Sequence, residues 1–195
     1  MPLIPTDTTL PVVEILEVLK STLRRHHEAI LQAPPGAGKT TLVPLALANE
    51  PWLNHKKILM LEPRRIASRA AAHRMADLLE EPVGHTVGYR MRLDTRVSSH
   101  TKIEVITEGI LTRMLQEDPS LDDVGLVIFD EFHERSLDAD LALALCMKGR
   151  SLFRENDPLK VLIMSATLDS RKLEELTRAP VVRSEGKQYP VDVVY

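Results

Sequence analysis

Short apolar runs alternate with longer amphipathic stretches along the chain. Ala29-Ile-Leu-Gln-Ala33, Lys57-Ile-Leu-Met-Leu61, Ile103-Glu-Val-Ile106, Leu126-Val-Ile-Phe129 and Val161-Leu-Ile-Met164 are each short and largely apolar, and several end in a polar cluster. That is the pattern of buried strands covered on both faces. Between them, helical patterns fall at about 12–25, 39–49, 65–80, 108–117, 138–149 and 170–177. Strands alternating with helices of this length predict βαβ units, hence an α/β fold with a mostly parallel sheet and helices on both faces. Ligand sites in such sheets gather outside the carboxyl ends of the strands, so the residues just after each apolar run are where chemistry is expected.

No internal repeat, low-complexity tract or Gly/Ser linker interrupts this texture. The 195 residues suit one sizeable domain. Apolar residues at 44% and charged residues at 27% are ordinary for a globular protein. A net charge of -3 gives no global pull toward nucleic acid, so any such binding requires a local basic patch. The lone Cys146 excludes an intrachain disulfide and reads as a small buried apolar residue. The first residues lack a basic n-region and an apolar h-region, and no apolar run approaches the roughly 20 residues of a membrane span. These features predict a soluble, cytoplasmic protein without a membrane partner.

The first apolar run leads into Ala33-Pro-Pro-Gly-Ala-Gly-Lys-Thr-Thr41 and then a helical Leu42-Val-Pro-Leu-Ala-Leu. This is nearly the phosphate-binding pattern G-x-x-x-x-G-K-[ST], with Ala33 in place of the first glycine. The cradle comprises Pro35, Gly36, Ala37, Gly38, Lys39, Thr40 and Thr41. Gly36 and Gly38 let the backbone aim N–H groups at phosphate oxygens, and the helix starting near Lys39 adds its positive end. Lys39 would reach the β- and γ-phosphates of ATP, and the Thr40 hydroxyl would ligate Mg²⁺. Ala33 matters little if that position needs no positive φ. A Gly/Pro turn that happens to precede Lys-Thr is the plain structural alternative.

The fourth run ends in Asp130-Glu-Phe-His-Glu-Arg135. With a phosphate loop upstream, Asp130 can hold the same Mg²⁺ as Thr40, and Glu131 can polarise the attacking water. Neighbouring strand residues face opposite ways, so both reach one site only if the strand ends here and turns. A protein metal site using His133 would lack a second His or Cys at ligand spacing. A polar loop after a core strand is the remaining alternative.

Ala33–Thr41, Glu62-Pro-Arg-Arg-Ile-Ala67, Val83-Gly-His-Thr-Val-Gly-Tyr89, Thr107-Glu-Gly-Ile-Leu111, Asp130–Arg135 and Ser165-Ala-Thr167 occur in the order found in the DEAH-type superfamily 2 helicases. From about Leu10 to Pro190 the chain resembles the first RecA-like domain of that family, and its wording resembles the bacterial HrpB type. Phe132 stands where the family usually has alanine. The resemblance implies an ATP-dependent helicase that couples hydrolysis to strand translocation or unwinding. It gives Lys39, Asp130 and Glu131 the roles already described and makes His133, Ser165 and Thr167 links between nucleotide and strand separation. Asp169 is at least as good a cap as Ser165 or Thr167 for the helix that follows.

The same resemblance puts Arg64 and Arg65 on the nucleic-acid backbone, Arg74 on the adenine face, and Thr107 and Gly109 on phosphates of the bound strand. Arg64, Arg65, Arg69 and Arg74 do concentrate positive charge in an acidic chain. Against this, Arg69 suits a solvated helix face, and Thr107 suits a helix N-cap equally well. Arg90, Arg92 and Arg96 extend the strand surface or are simply exposed. His26, His27, His55, His73, His85 and His100 share no ligand spacing and read as surface or packing residues. Trp52 and the few other aromatics form no stacking platform.

The implied ligands are ATP, Mg²⁺ and single-stranded nucleic acid, with RNA favoured by the resemblance and DNA also accommodated. A core of about 10–185 is expected, with 186–195 opening a linker toward a second RecA-like domain that would supply arginine fingers. The alternatives are a P-loop kinase and a nucleotide- or RNA-binding module without turnover. An arginine finger contributes roughly 10³–10⁵ in rate. The 195-residue chain alone is therefore expected to bind nucleotide weakly, hydrolyse ATP very slowly and leave duplexes intact. A steady-state ATPase and duplex-unwinding assay on the purified chain checks this, and robust unwinding contradicts it.

Overall fold

The computed structural model describes residues 10–166 and 171–184. Thr167, Asp169 and residues 186–195 lie outside that range. A 3₁₀ turn, Pro11–Ile15, leads into α1 (Leu16–Arg25), followed by β1 (Glu28–Gln32), α2 (Lys39–Leu47), β2 (Lys57–Leu61) and α3 (Arg65–Leu78). Next come β3 (Val87–Met91), β4 (Asp94–Arg96), β5 (Ile103–Ile106), α4 (Glu108–Glu117), β6 (Val124–Phe129) and α5 (Leu137–Phe153). The described chain closes with β7 (Lys160–Ser165), α6 (Arg171–Thr177) and β8 (Val181–Arg183).

All eight strands join one sheet in the order β4-β3-β5-β2-β6-β7-β1-β8. Every pairing is parallel except the β3–β4 hairpin. The expected α/β architecture is present, with two apolar clusters on opposite faces of the sheet. One packs α1, α2 and α3 residues such as Leu19, Leu45 and Met75 against Leu31, Met60 and Ile128. The other packs α4, α5 and α6 residues such as Leu115, Cys146 and Leu173 against Ile30, Val127 and Ile163. Alternate residues of a strand serve opposite clusters, which is why the strands read as continuous apolar runs. Cys146 lies buried in the second cluster.

Three strands, β3, β4 and β8, carried no apolar run in the sequence. β4 is one sheet edge with β3 inside it, Arg90, Arg92, Asp94 and Arg96 lie in or beside them, and β8, the other edge, has only three residues. The expected helix over 12–25 begins as a 3₁₀ turn because Pro11 opens it, and α5 runs to Phe153 rather than stopping near 149. Glu104 shows how a charge fits a buried strand: Lys57 Nζ donates to it at 2.9 Å and Arg90 Nη2 at 3.2 Å from either side. Among the described residues no helix is long and apolar enough to cross a membrane.

α5, which follows the acidic motif, lies against the loop after α4 at Gly149. A Cβ there would sit 2.3 Å from the Pro119 carbonyl oxygen. Gly149→Ala should therefore cost about 1–3 kcal/mol of overpacking, offset by up to about 1 kcal/mol of helix propensity. A lower urea midpoint is the expected result, and an unchanged or raised midpoint would show that the contact relaxes freely.

Candidate active site

The carboxyl ends of β2, β6, β7 and β1 are neighbours in the sheet, so the segments after them meet. After β1 the chain turns through Gly36 and Gly38, at φ 74° and φ 91°, into α2. Ala33 has no positive φ, so the missing first glycine imposes no strain there. Lys39 is buried, and its Nζ donates to the Ala33 carbonyl at 2.7 Å and the Pro34 carbonyl at 3.1 Å. Pro35 and Gly36 are exposed at the tip of the loop, while Ala37 is buried beneath it and Thr41 lies half-buried in α2.

β6 ends at Phe129, and Glu131 takes a left-handed conformation at φ 48° and ψ 34°. The turn needed to bring both acids to one site is thus present. Asp130 is buried; its Oδ2 accepts from Thr40 Oγ1 at 2.6 Å and its Oδ1 accepts from the Glu131 N–H at 2.8 Å. Burial, reinforced by the Glu131 charge, pushes the Asp130 carboxyl up to about 6, while the Thr40 bond and the Lys39 ammonium oppose that rise. Phe132, the departure from the family alanine, is buried in the α4–α6 cluster, edge-on to Phe129 with ring centroids 5.9 Å apart.

His133 faces two partners through one atom. Its Nδ1 lies 3.3 Å from Glu131 Oε2 and 3.4 Å from the Ala166 N–H, just past Ser165 at the end of β7. A ring nitrogen cannot accept from the amide and donate to the carboxylate at once. Ser165 is buried at the end of β7, beside β1 and β6.

Glu62 was not singled out as a site residue, although it follows an apolar run directly. It is buried at the end of β2, next to the acidic turn. Burial, reinforced by the charges of Asp130 and then Glu131, pushes its carboxyl up to about 8. Glu134 belongs to the same acidic group and pairs with Arg64 at 2.5 Å.

The basic residues divide. Arg65 Nη2 donates to the Arg92 carbonyl at 3.0 Å, tying the start of α3 to the β3–β4 turn. Arg69 pairs with Asp94 and lies over the Tyr89 ring. Arg74 is exposed on α3, on the sheet face that α2 also covers. Thr107 occupies the N-cap position of α4 but makes no capping bond through its side chain. Thr107 and Gly109 instead line an open groove of about 680 Å³ together with Arg90, Arg92 and Arg113. Arg90 is paired with Glu104 and Arg113 with Glu117, while Arg92 has no ion pair among the described residues. No group of three His, Cys, Asp or Glu side chains among the described residues is placed to hold a metal by itself.

A glycine loop of phosphate-binding pattern, an acid pair at the end of a strand two places away and a mostly parallel sheet are the features of a P-loop nucleotide-binding domain of RecA-like fold. The DEAD/DEAH box helicase family matches residues 16–176, and the chain belongs to that family. It is 53% identical over 189 residues to the ATP-dependent RNA helicase HrpB of Escherichia coli, covering 96% of this chain and 23% of that protein. It is 34% identical over 190 residues to the ATP-dependent RNA helicase HrpA of Borreliella burgdorferi, covering 97% of this chain and 23% of that one. A crystal structure of Escherichia coli DEAH/RHA helicase HrpB superimposes with a TM-score of 0.89 over 94% of this chain and 23% of that chain, at 53% identity. The chain thus spans less than a quarter of the length of these relatives.

The Glu62 carboxyl gives a pH test. Its folded value of about 8 lies above the ordinary 4.5, so the folded state holds an extra proton between them. The stability tied to that proton is full below 4.5 and is lost as the pH rises through 8. Glu62→Gln removes the titration. In metal-free urea unfolding, the wild-type midpoint should fall more steeply from pH ~5 to pH ~9 than that of the variant. Parallel profiles would remove Glu62 from the linkage.

Proposed function

We propose that this chain is the ATP-binding domain of an ATP-dependent RNA helicase, in which hydrolysis at the loop–acid junction drives movement along single-stranded nucleic acid. The observation that carries it is the 2.6 Å bond from Thr40 Oγ1 to Asp130 Oδ2, which joins phosphate loop and acidic motif in one site. The relatives named above are RNA helicases, and that supports RNA over DNA as the strand.

The donor set suits Mg²⁺: a hydroxyl and a carboxylate oxygen already face each other, and hard oxygen ligands are what this ion takes. Thr40 and Asp130 would hold it, and when bound it supplies positive charge against the β- and γ-phosphate oxygens. Lys39 turns its ammonium from the Ala33 and Pro34 carbonyls to the phosphates, and the loop N–H groups with the start of α2 complete the cradle. Glu131 takes a proton from water as the water oxygen bonds to the γ-phosphorus and the bridging P–O bond breaks. Arg74 would rest against the adenine.

His133 would couple this site to β7 by choosing between Glu131 and the Ala166 N–H, with Ser165 and Thr167 as further links to strand separation. Arg64, Arg65, Thr107 and Gly109 would carry the strand's phosphates, with the groove beside Arg92 continuing the surface. A second RecA-like domain would close the nucleotide cleft, and the working compartment would be the cytoplasm.

ATP turnover of the longer protein containing this chain, measured with single-stranded RNA, single-stranded DNA or neither, tests the proposal. RNA should stimulate most, and Glu131→Gln should keep ATP and RNA binding while losing turnover by about 10²-fold or more. Turnover indifferent to nucleic acid would favour a kinase-like or purely binding role, and retained turnover in Glu131→Gln would remove the base.

A further inference from the structure

The segment ahead of α1 touches the phosphate loop at Ala37 and Gly38. A long turn bond runs from the Ala37 N–H to the Pro34 carbonyl at 3.3 Å. Gly36 and Gly38 flank Ala37 at positive φ, in a region where glycine moves freely between conformations. The Ala37 carbonyl accepts from the Val12 N–H at 3.1 Å.

That bond fixes more than one oxygen. A trans peptide is a rigid plane whose C=O and N–H point in opposite directions. Holding the Ala37 carbonyl toward Val12 aims the Gly38 N–H away from Val12, and this N–H has no backbone acceptor among the described residues. Side chains reinforce the hold. A Cβ on Gly38 would lie 2.9 Å from Leu10 Cδ1 and 3.3 Å from Val12 Cγ1, so both side chains pack on the glycine itself. Val12 is fully buried.

The strap of Leu10, Pro11 and Val12 is tied down in turn. Ser184 Oγ donates to the Pro11 carbonyl at 3.2 Å, and the Ser184 N–H donates to the Gln32 carbonyl at 2.8 Å. Ser184 follows β8, which pairs with β1, so it grips both the strap and the last residue of the strand that feeds the loop. We infer that Ser184 and Leu10 are positioning residues for polyphosphate binding. They act through the Pro11–Val12 strap to hold the Ala37–Gly38 peptide with its N–H presented to a bound di- or triphosphate. The inference rests on the reading of Gly36–Thr41 as a phosphate cradle. It adds that the cradle is aimed from outside, by the chain before α1 and the residue after β8.

The test uses the 195-residue chain, with ATP plus Mg²⁺ as the probe and ¹⁵N-glycine labelling as a second readout. Ser184→Ala should weaken ATP about two- to tenfold, the worth of one net hydrogen bond. It should also shift the Gly38 amide resonance of the nucleotide-free protein while leaving that of Gly125 in place. Ser184→Thr should restore both. Leu10→Ala should reproduce the loss and Leu10→Met should restore it, so the test does not hang on one variant. Lys39→Ala separates the two levels. If it abolishes binding while Ser184→Ala and Leu10→Ala bind as wild type, the strap has no positioning role. Weakened binding with an unmoved Gly38 resonance overturns the inference as well. Unchanged affinity in Lys39→Ala overturns the cradle itself, and the strap with it.

Discussion

The hydrogen bond between Thr40 and Asp130 is the contact on which the rest of the site depends. Its partners are 90 positions apart in the chain, and they meet across the end of β7, which lies between β1 and β6. Because the three strands run parallel, the loop after β1 and the turn after β6 open at one edge of the sheet. The same arrangement puts Ser165 and Ala166 between them and Glu62 on the far side of the acid pair. Together the strand ends contribute an ammonium, a hydroxyl, carboxylates and the Ala166 N–H.

Crowding carboxylates at such an edge opposes folding. Glu62, Asp130, Glu131 and Glu134 lie close together, and the two buried ones are driven toward their protonated forms. Burying an ionised group is tolerable only with compensating charge or hydrogen bonds. Asp130 has the Thr40 hydroxyl, the Glu131 N–H and the nearby Lys39 ammonium. The site accepts local strain as well, since Glu131 and Arg135 both adopt positive φ around the buried Phe132. Phe132 anchors that strained turn by filling the apolar cluster below it, where an alanine would fill less space.

The site and the proposed nucleic-acid face are joined by polar contacts as well as by the apolar cluster that holds Phe132 and Leu111. Arg64 pairs with Glu134 of the acidic turn, Arg65 holds the β3–β4 turn, and Ser136 Oγ donates to Glu108 Oε1 at 2.6 Å beside Thr107 and Gly109. Segments proposed to contact the strand are thus bonded to segments proposed to contact nucleotide.

Much of this was legible in the chain itself. β1, β2, β5, β6 and β7 are apolar because both their faces are covered, and that single fact exposes them to a reading of pattern alone. Lys39, Thr40, Asp130 and Glu131 could be picked out because each follows such a run. The short strands β3, β4 and β8 escaped: β4 and β8 are the sheet edges, and in β3 Gly88 and Arg90 interrupt the apolar run although most of the strand is buried. For Thr107, helix N-cap and strand-phosphate contact read equally well in the sequence, and the structure puts it at the N-cap position of α4 without a side-chain capping bond. Sequence alone determined which residue types arrive at which strand ends, since burial dictates composition locally. Only the tertiary structure decided which ends are neighbours: that Glu62 joins the acid pair, that His133 Nδ1 faces two partners, and that Val12 and Ser184 reach the phosphate loop. Strand order is set by packing between residues far apart in the chain, and no local pattern records it.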